Sequence, residues 1–408
     1  MITLLLIIIY ITFIGLGIPD SAIGSAWPAL YPDLGIAVGS SGFVTAIISI
    51  FTSLASFLSA RLINRFGTGT VAAVSTFLTA GALIGFAFAD SLIWLCVCAV
   101  PTGFGAGAID AALNNYVAVR FKSHHMSFLH CAYGVGVALS PFIFSFALEN
   151  GDWRLGYRII FYIQLFICFV TLLALPLWKR AATLQPDKES FTPVTLSYPK
   201  MIKYPAIRAG WLAFFSTCAL EFTCDHWCTT YLVSSGGATE SAAAMFLTVY
   251  YIGMTLGRFL SGVLATRLSN KKIICIGYST VFIGIAALFF PLPVEVKGIA
   301  IALIGLGNGP TFPNLVFLTP IHFGREVSQS LISSQMLAAN IGILIMPPLF
   351  GALAQALSLN VFPYFAAALF ISMTVSTAVY FGRAKKIGGC LLSLAAENQT
   401  ENAAEKQE

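Results

Sequence analysis

ARLINRFGTG at residues 60–69 and GVLATRLSNKK at residues 262–272 repeat one pattern, an apolar stem leading into an arginine and a short polar or basic tail. With Arg65 laid on Arg267 the copies stand 202 residues apart, half of a 408-residue chain. Each copy lies between apolar stretches long enough to cross a bilayer, which takes about 20 residues. Counting outward from the two copies gives stretches over 2–27, 38–60, 71–89, 92–118, 126–148 and 156–178, then 208–233, 241–264, 272–292, 298–319, 329–354 and 360–382. The sequence therefore predicts an all-α membrane protein of 12 transmembrane helices in two six-helix, pseudo-symmetric halves.

Composition supports this class. The chain is 58% hydrophobic and 10% charged, with mean hydropathy +0.85, whereas a soluble domain has about 25% charged residues. The apolar runs are continuous, which excludes a transmembrane β-barrel with its alternating strands. Of nine cysteines, all but Cys390 fall inside apolar runs and read as small apolar packing residues, not as disulfides. The opening MITLLLIIIYITFIGLGIPD has no basic n-region and stays apolar past the length of a signal peptide, so it reads as the first transmembrane helix.

Basic residues test the helix count, because an error of one would scramble their alternation among the loops. With a cytoplasmic N-terminus, only Arg154, Arg158 and Lys297 of the 22 fall outside, leaving 19 inside. Both termini are thus expected in the cytoplasm. The expected organisation is a first half over 1–180, a cytoplasmic linker over 181–207, a second half over 208–386, and a polar, disordered tail over 387–408. The net charge of +5 reflects this topology and does not point to nucleic acid.

The two repeated segments resemble the loop signature G-x-L-x-D-R-x-G-R-[RK] of the major facilitator superfamily. Asn64 and Thr266 stand where the signature has its acid, and Ser269 where the second copy would have glycine. By that resemblance Arg65, Gly67 and Arg267 belong to gating loops. GAIDAALNNYV (107–117), FLHCAYGVGVALSP (128–141), EFTCDHW (221–227) and GLGNGPTFP (305–313) further resemble the fucose:proton symporter family and its bacterial relatives, over nearly the whole chain. The resemblance implies that Asp20 and Asp110 serve sugar binding and proton coupling, that Glu221 and Trp227 fill the helix-seven pattern of an acid six residues before a tryptophan, and that the cargo is a sugar.

Read from the residues alone, Asp20, Asp110, Glu221 and Asp225 are acids within apolar spans. A carboxylate at bilayer depth costs several kcal/mol unless it is paired, protonated or facing a cavity, so each is a functional candidate. Each can instead be a structural hydrogen-bond partner, and Asp20, after Pro19, can be a solvated group towards the outer end of its helix. Asp110 and Asn114 share a helical face, and His130 returns to a similar depth, close enough to exchange a proton near neutral pH or to be a satisfied structural histidine. Glu221 and Asp225 share a face, with Trp227 to one side available to stack on a sugar ring or to pack. The CDHWC run spreads its ligands around the helix, so no metal is expected. Asn308 and Asn314 flank a bend at Pro310 and Pro313 and can face a cavity, and Gln335 and Asn340 are further polar candidates. GLGNG lacks the spacing and the preceding strand of a nucleotide loop.

These features point to a secondary transporter of the plasma (inner) membrane, monomeric and without a cofactor, carrying a small polar solute with a coupling ion. The ion is expected to be a proton, with sodium as the alternative. A drug:proton antiporter and a membrane sensor are the competing readings, and a primary pump is disfavoured by the lack of a P-loop. No arginine or lysine is placed near mid-depth by this reading, which argues against a multiply anionic cargo. The topology predicts that a cysteine placed at Gly151 reacts with an impermeant thiol reagent outside intact cells while one at Gln185 does not. Labelling at position 185 would overturn it.

Overall fold

A computed structural model describes residues 2–36, 40–149, 152–183, 194–238 and 240–404. Among these the chain is helical, with no β-strand: α1 (Ile2–Gly17), α2 (Ala22–Asp33), α3 (Ser41–Phe66), α4 (Thr68–Ala87), α5 (Leu92–Arg120), α6 (Ser123–Glu149), α7 (Trp153–Leu173), α8 (Leu175–Thr183), α9 (Tyr198–Met201), α10 (Pro205–Gly236), α11 (Glu240–Leu264), α12 (Asn270–Ala287), α13 (Val294–Asn308), α14 (Thr311–Phe323), α15 (Ser328–Ala356) and α16 (Phe362–Ala404). Ten helical segments among the described residues are long and apolar enough to cross a membrane, α13 with α14 counting as one. The two further helices, α10 and α12, stand where the seventh and ninth spans are expected. They are less apolar because α10 carries Glu221 and Asp225 and α12 begins with Lys271 and Lys272.

The outer face confirms the solvent. Phe77, Phe142 and Ile93 are 62%, 76% and 77% exposed, a density of bare large side chains that water does not tolerate and hydrocarbon does. The chain divides into two compact units, residues 1–116 with 129–192, and residues 117–128 with 193–408. In the first unit Phe86, Phe144, Trp153 and Tyr157 form an aromatic core with Ile18, Trp27 and Leu30. In the second, α10 packs on α15 and α16 while α11 packs on α13.

Several boundaries differ from the sequence reading. The first span is broken: a 3-10 turn over Ile18–Ser21 separates α1 from α2, because Pro19 has no N–H to continue the helix. The loop expected at 60–69 shrinks to Gly67, since α3 runs on to Phe66 and α4 starts at Thr68. Gly67 has φ 81° and ψ 155°, a conformation that a side chain forbids. Ser269, at the matching place in the second copy, has φ −71° and needs no glycine, which explains its departure from the signature. α8 and α9 occupy parts of the expected linker, whose residues 184–193 lie outside the described ones. The tail expected to be disordered instead continues α16 as far as Ala404, because Leu391, Leu392, Leu394, Ala395 and Ala396 favour helix where polarity alone suggested coil. Residues 405–408 are outside the described ones.

One polar knot ties the end of the first span to α7. Arg154 donates through Nη1 to Asp33 Oδ2 at 2.6 Å and through Nη2 to the Ala89 carbonyl at 3.2 Å, and Trp153 Nε1 donates to Asp33 Oδ2 at 3.0 Å. The donors from Arg154 and Trp153 hold the Asp33 carboxyl below the usual carboxylate range. A depressed folded-state value means that this stabilisation is present above the unfolded value of about 4 and is lost as pH falls through the folded one. Asp33→Asn is therefore expected to melt below wild type at neutral pH, with the gap closing below about pH 4. A constant gap in fluorimetric melting curves would show that the Asp33 charge contributes nothing.

Candidate functional site

In the first unit the site begins with a close crossing of α1 over α6. A side chain on Gly17 would overlap the Tyr133 carbonyl, and one on Gly136 would overlap the Ile14 carbonyl, so only glycines allow the two backbones to pass. The Ser21 hydroxyl adds a hydrogen bond to the Val137 carbonyl at 2.7 Å. This fixes the 3-10 turn against α6, where Tyr133 donates its hydroxyl to Asp20 Oδ2 at 2.5 Å. Asp20 keeps an exposed side chain. It is not at the outer end of the span as expected: the whole of α2 follows it, about 18 Å of helix.

One turn before Tyr133, His130 faces α5. Asn114 donates from Nδ2 to Asp110 Oδ1 at 2.8 Å and to the Asp110 carbonyl at 2.9 Å, and its Oδ1 lies 2.9 Å from His130 Nε2. His130 thus meets Asp110 through Asn114. Asn114 is fully buried and committed at both ends of its amide, which leaves no face for a substrate. Phe13 packs edge-on to the His130 ring with centroids 5.5 Å apart.

In the second unit Glu221 Oε1 accepts from Arg258 Nη2 at 3.1 Å, with side chains 14% and 7% exposed. Tyr250 donates to the Glu221 carbonyl at 3.1 Å, Tyr251 donates to Asp225 Oδ1, and His226 Nδ1 lies 3.3 Å from Asp225 Oδ2. Arg258 thus corrects the expectation of no cation at depth: its stem runs from near the end of α11 past Gly309 and its guanidinium reaches the Glu221 turn. Trp227 donates Nε1 to the Pro347 carbonyl at 2.9 Å, packs on Phe350 and fills the space beside Gly351, a packing position rather than an open stacking face.

The remaining candidates are dispersed. Asn308 is buried and donates to the Thr217 carbonyl at 3.2 Å, its Oδ1 lacking a partner among the described residues. Asn314 is a brace, donating to Ser261 Oγ at 2.8 Å and to the Pro310 carbonyl at 2.7 Å while accepting from Asn270. Gln335 is buried and accepts from Thr319 at 3.0 Å, and Asn340 is half-buried. Arg65 and Arg267 are exposed at the two repeated connections. Sequence reasoning missed Tyr133, Tyr251 and Gln164. The last is 2% exposed in α7, with Oε1 beside Gly15. A lone glutamine in FYIQLFICF is a signal that could have found it.

The family model of the Major Facilitator Superfamily matches residues 6–337 and 229–389. The chain belongs to this superfamily. It is 22% identical over 390 residues to Bypass of stop codon protein 6 of Saccharomyces cerevisiae, covering 86% of this chain and 77% of that one. It is 22% identical to the glucose/mannose transporter GlcP of Bacillus subtilis, covering 69% and 72%, and 21% identical to the cis,cis-muconate transport protein of Acinetobacter baylyi, covering 76% and 77%. Among solved structures it resembles FucP in its outward conformation, with TM-score 0.71 at 17% identity over 91% of this chain and 98% of that one. The protein is accordingly a multi-pass membrane transporter of small molecules and not an enzyme, and alternating access follows from its fold.

Breaking a buried ion pair from one side leaves an unpaired charge, at about 3–5 kcal/mol. Glu221→Ala and Arg258→Ala are each expected to destabilise by that order, and the Glu221→Leu, Arg258→Met double variant to recover most of the loss. Additive losses in thermal unfolding would show that the two side chains do not act as a pair.

Proposed function

We propose that the chain is a proton-coupled symporter of a neutral hexose or a similar small polar solute. It works as a monomer in the plasma membrane, with both termini cytoplasmic and with residues 1–180 and 208–386 as its moving halves. One observation carries the coupling. Glu221 is paired with the Arg258 guanidinium, whereas Asp20 and Asp110 have the neutral partners Tyr133 and Asn114 and form no ion pair among the described residues. A carboxyl group inside a membrane with no counter-cation is stable when it holds a proton and costly when it does not. Loading and releasing that proton as access changes is what a proton-driven carrier requires.

The hexose reading draws support from the relative named as a glucose/mannose transporter and from the amide and carboxyl groups able to bond hydroxyls. A carboxylate cargo is the second reading. Arg258 favours it, as does the relative named for cis,cis-muconate. For that cargo the guanidinium would exchange Glu221 for the solute, a bidentate match that a lysine does not offer.

Thermal-shift measurements on the purified protein with D-glucose, D-mannose, cis,cis-muconate and lipophilic cations separate these readings, since a ligand that binds only the folded state raises the melting temperature. Hexoses are expected to raise it. A shift with muconate alone selects the second reading, and one with cations alone the drug antiporter. With the ligand so found, Asp110→Asn in proteoliposomes is expected to lose accumulation against a gradient at least about tenfold while keeping exchange. Accumulation at the wild-type level would remove Asp110 as the coupling acid.

A further inference from the structure

Resting on the coupling role proposed for Asp110, we infer that His130 is a positioning residue that holds Asn114 as a permanent donor to Asp110, with no proton passing between the imidazole and that carboxyl. The Asn114 amide nitrogen lies 2.9 Å from the Asp110 backbone carbonyl and 2.8 Å from its Oδ1. A backbone carbonyl can only accept. Turning the amide over would set Asn114 Oδ1 against that carbonyl oxygen, acceptor against acceptor, in a site where Asn114 has no exposure to water. The orientation is therefore fixed whether or not Asp110 holds a proton. Asn114 Oδ1 then faces His130 Nε2 at 2.9 Å, and because an amide oxygen also only accepts, Nε2 carries the hydrogen.

The consequence for proton movement is direct. An Nε2 that already bears hydrogen has no lone pair with which to take the Asp110 proton. For a proton to pass in the other direction, Asn114 would have to gain one on Oδ1 and lose one from Nδ2, becoming an imidic acid. Among the described residues the hydrogen-bonded path between these two atoms runs through the Asn114 amide. The titratable residues of the first span up to this turn are Tyr10 and Asp20, the latter bonded to Tyr133 of α6. α3, packed on α5 at Gly103 and Gly107, carries only Arg61 and Arg65, both exposed towards its end. α4, packed on α5 at Gly105, carries no charged residue. On α6 itself His124 and His125 stand in the first turn. Phe13, edge-on to the imidazole, helps hold the ring in register with Asn114.

Nitrogen-15 spectra of the full-length, histidine-labelled protein in nanodiscs read the tautomer without any substrate. His130 is assigned by the signal lost in His130→Gln, and the Asp110 carboxyl by the infrared band lost in Asp110→Asn. Between about pH 5 and about pH 9, His130 Nε2 is expected to stay protonated while the Asp110 band titrates. His130→Gln, whose amide can still donate to Asn114, is expected to leave that band at its wild-type frequency and pH, and His130→Leu to shift it. Loss of the Nε2 hydrogen as Asp110 titrates, or equal shifts in the two His130 variants, would overturn the inference. An Asp110 band that does not titrate would overturn the coupling role itself, while the nitrogen spectrum still decides whether His130 is locked.

Discussion

The crossing of α1 over α6 at Gly17 and Gly136 is the contact on which the first unit's polar site depends. Each glycine occupies a place where a methyl group would overlap the other helix's backbone, so the separation of the two helices is set by main chain rather than by side chains. Close approach of this kind is a common way for membrane helices to gain packing energy, because hydrocarbon offers no hydrophobic drive between them. It also sets the register. With the crossing in place, the 3-10 turn made by Pro19 presents Asp20 to Tyr133, and the preceding turn of α6 presents His130 to Asn114. A larger residue at either glycine would push α1 from α6 and separate Asp20 from Tyr133.

Much of the fold was legible because a bilayer imposes one rule on every span, that about 20 apolar residues form a helix with its backbone satisfied internally. The placement of the spans and the break at Pro19 follow from that rule and from proline chemistry. The site was legible only in part. Intramembrane acids announce themselves in sequence, but their partners do not. Arg258 looked like an end-of-helix charge by counting residues, yet its long side chain reaches back to Glu221. Trp227 looked like a stacking surface, and only the neighbouring Pro347 carbonyl and Phe350 reveal it as packing. Asn114 lay on the expected face, but whether that face pointed to a cavity or to α6 depended on how far α6 returns along α5.

The two copies of the repeated loop show how a pseudo-symmetric fold tolerates asymmetric sequence. In the first copy α3 and α4 are joined by one residue, and the turn demands φ 81° at Gly67. In the second, residues 265–269 make the turn and Ser269 sits in ordinary extended backbone. A longer connection spreads the change of direction over more dihedrals and removes the need for glycine. The signature's glycine is therefore a statement about loop length, and its loss in the second copy leaves the helix pair intact.

The same asymmetry extends to charge. In the second unit Glu221 faces Arg258, so this pair is best kept ionised, each partner making the other's proton change costly, while Asp225 accepts from the Tyr251 phenol beside His226. In the first unit Asp20 and Asp110 face a phenol and an amide. Neutral donors accommodate a carboxyl group in either protonation state, since a tyrosine hydroxyl or an amide N–H can bond to a carboxylate or to the carbonyl oxygen of the acid. A group that must gain and lose a proton in every transport cycle gains from partners that do not strongly prefer one state. A group that must keep its charge gains from an arginine. On this physical ground the carboxyl groups of the first unit are suited to exchange a proton, and the Glu221–Arg258 pair of the second to hold a fixed charge pattern.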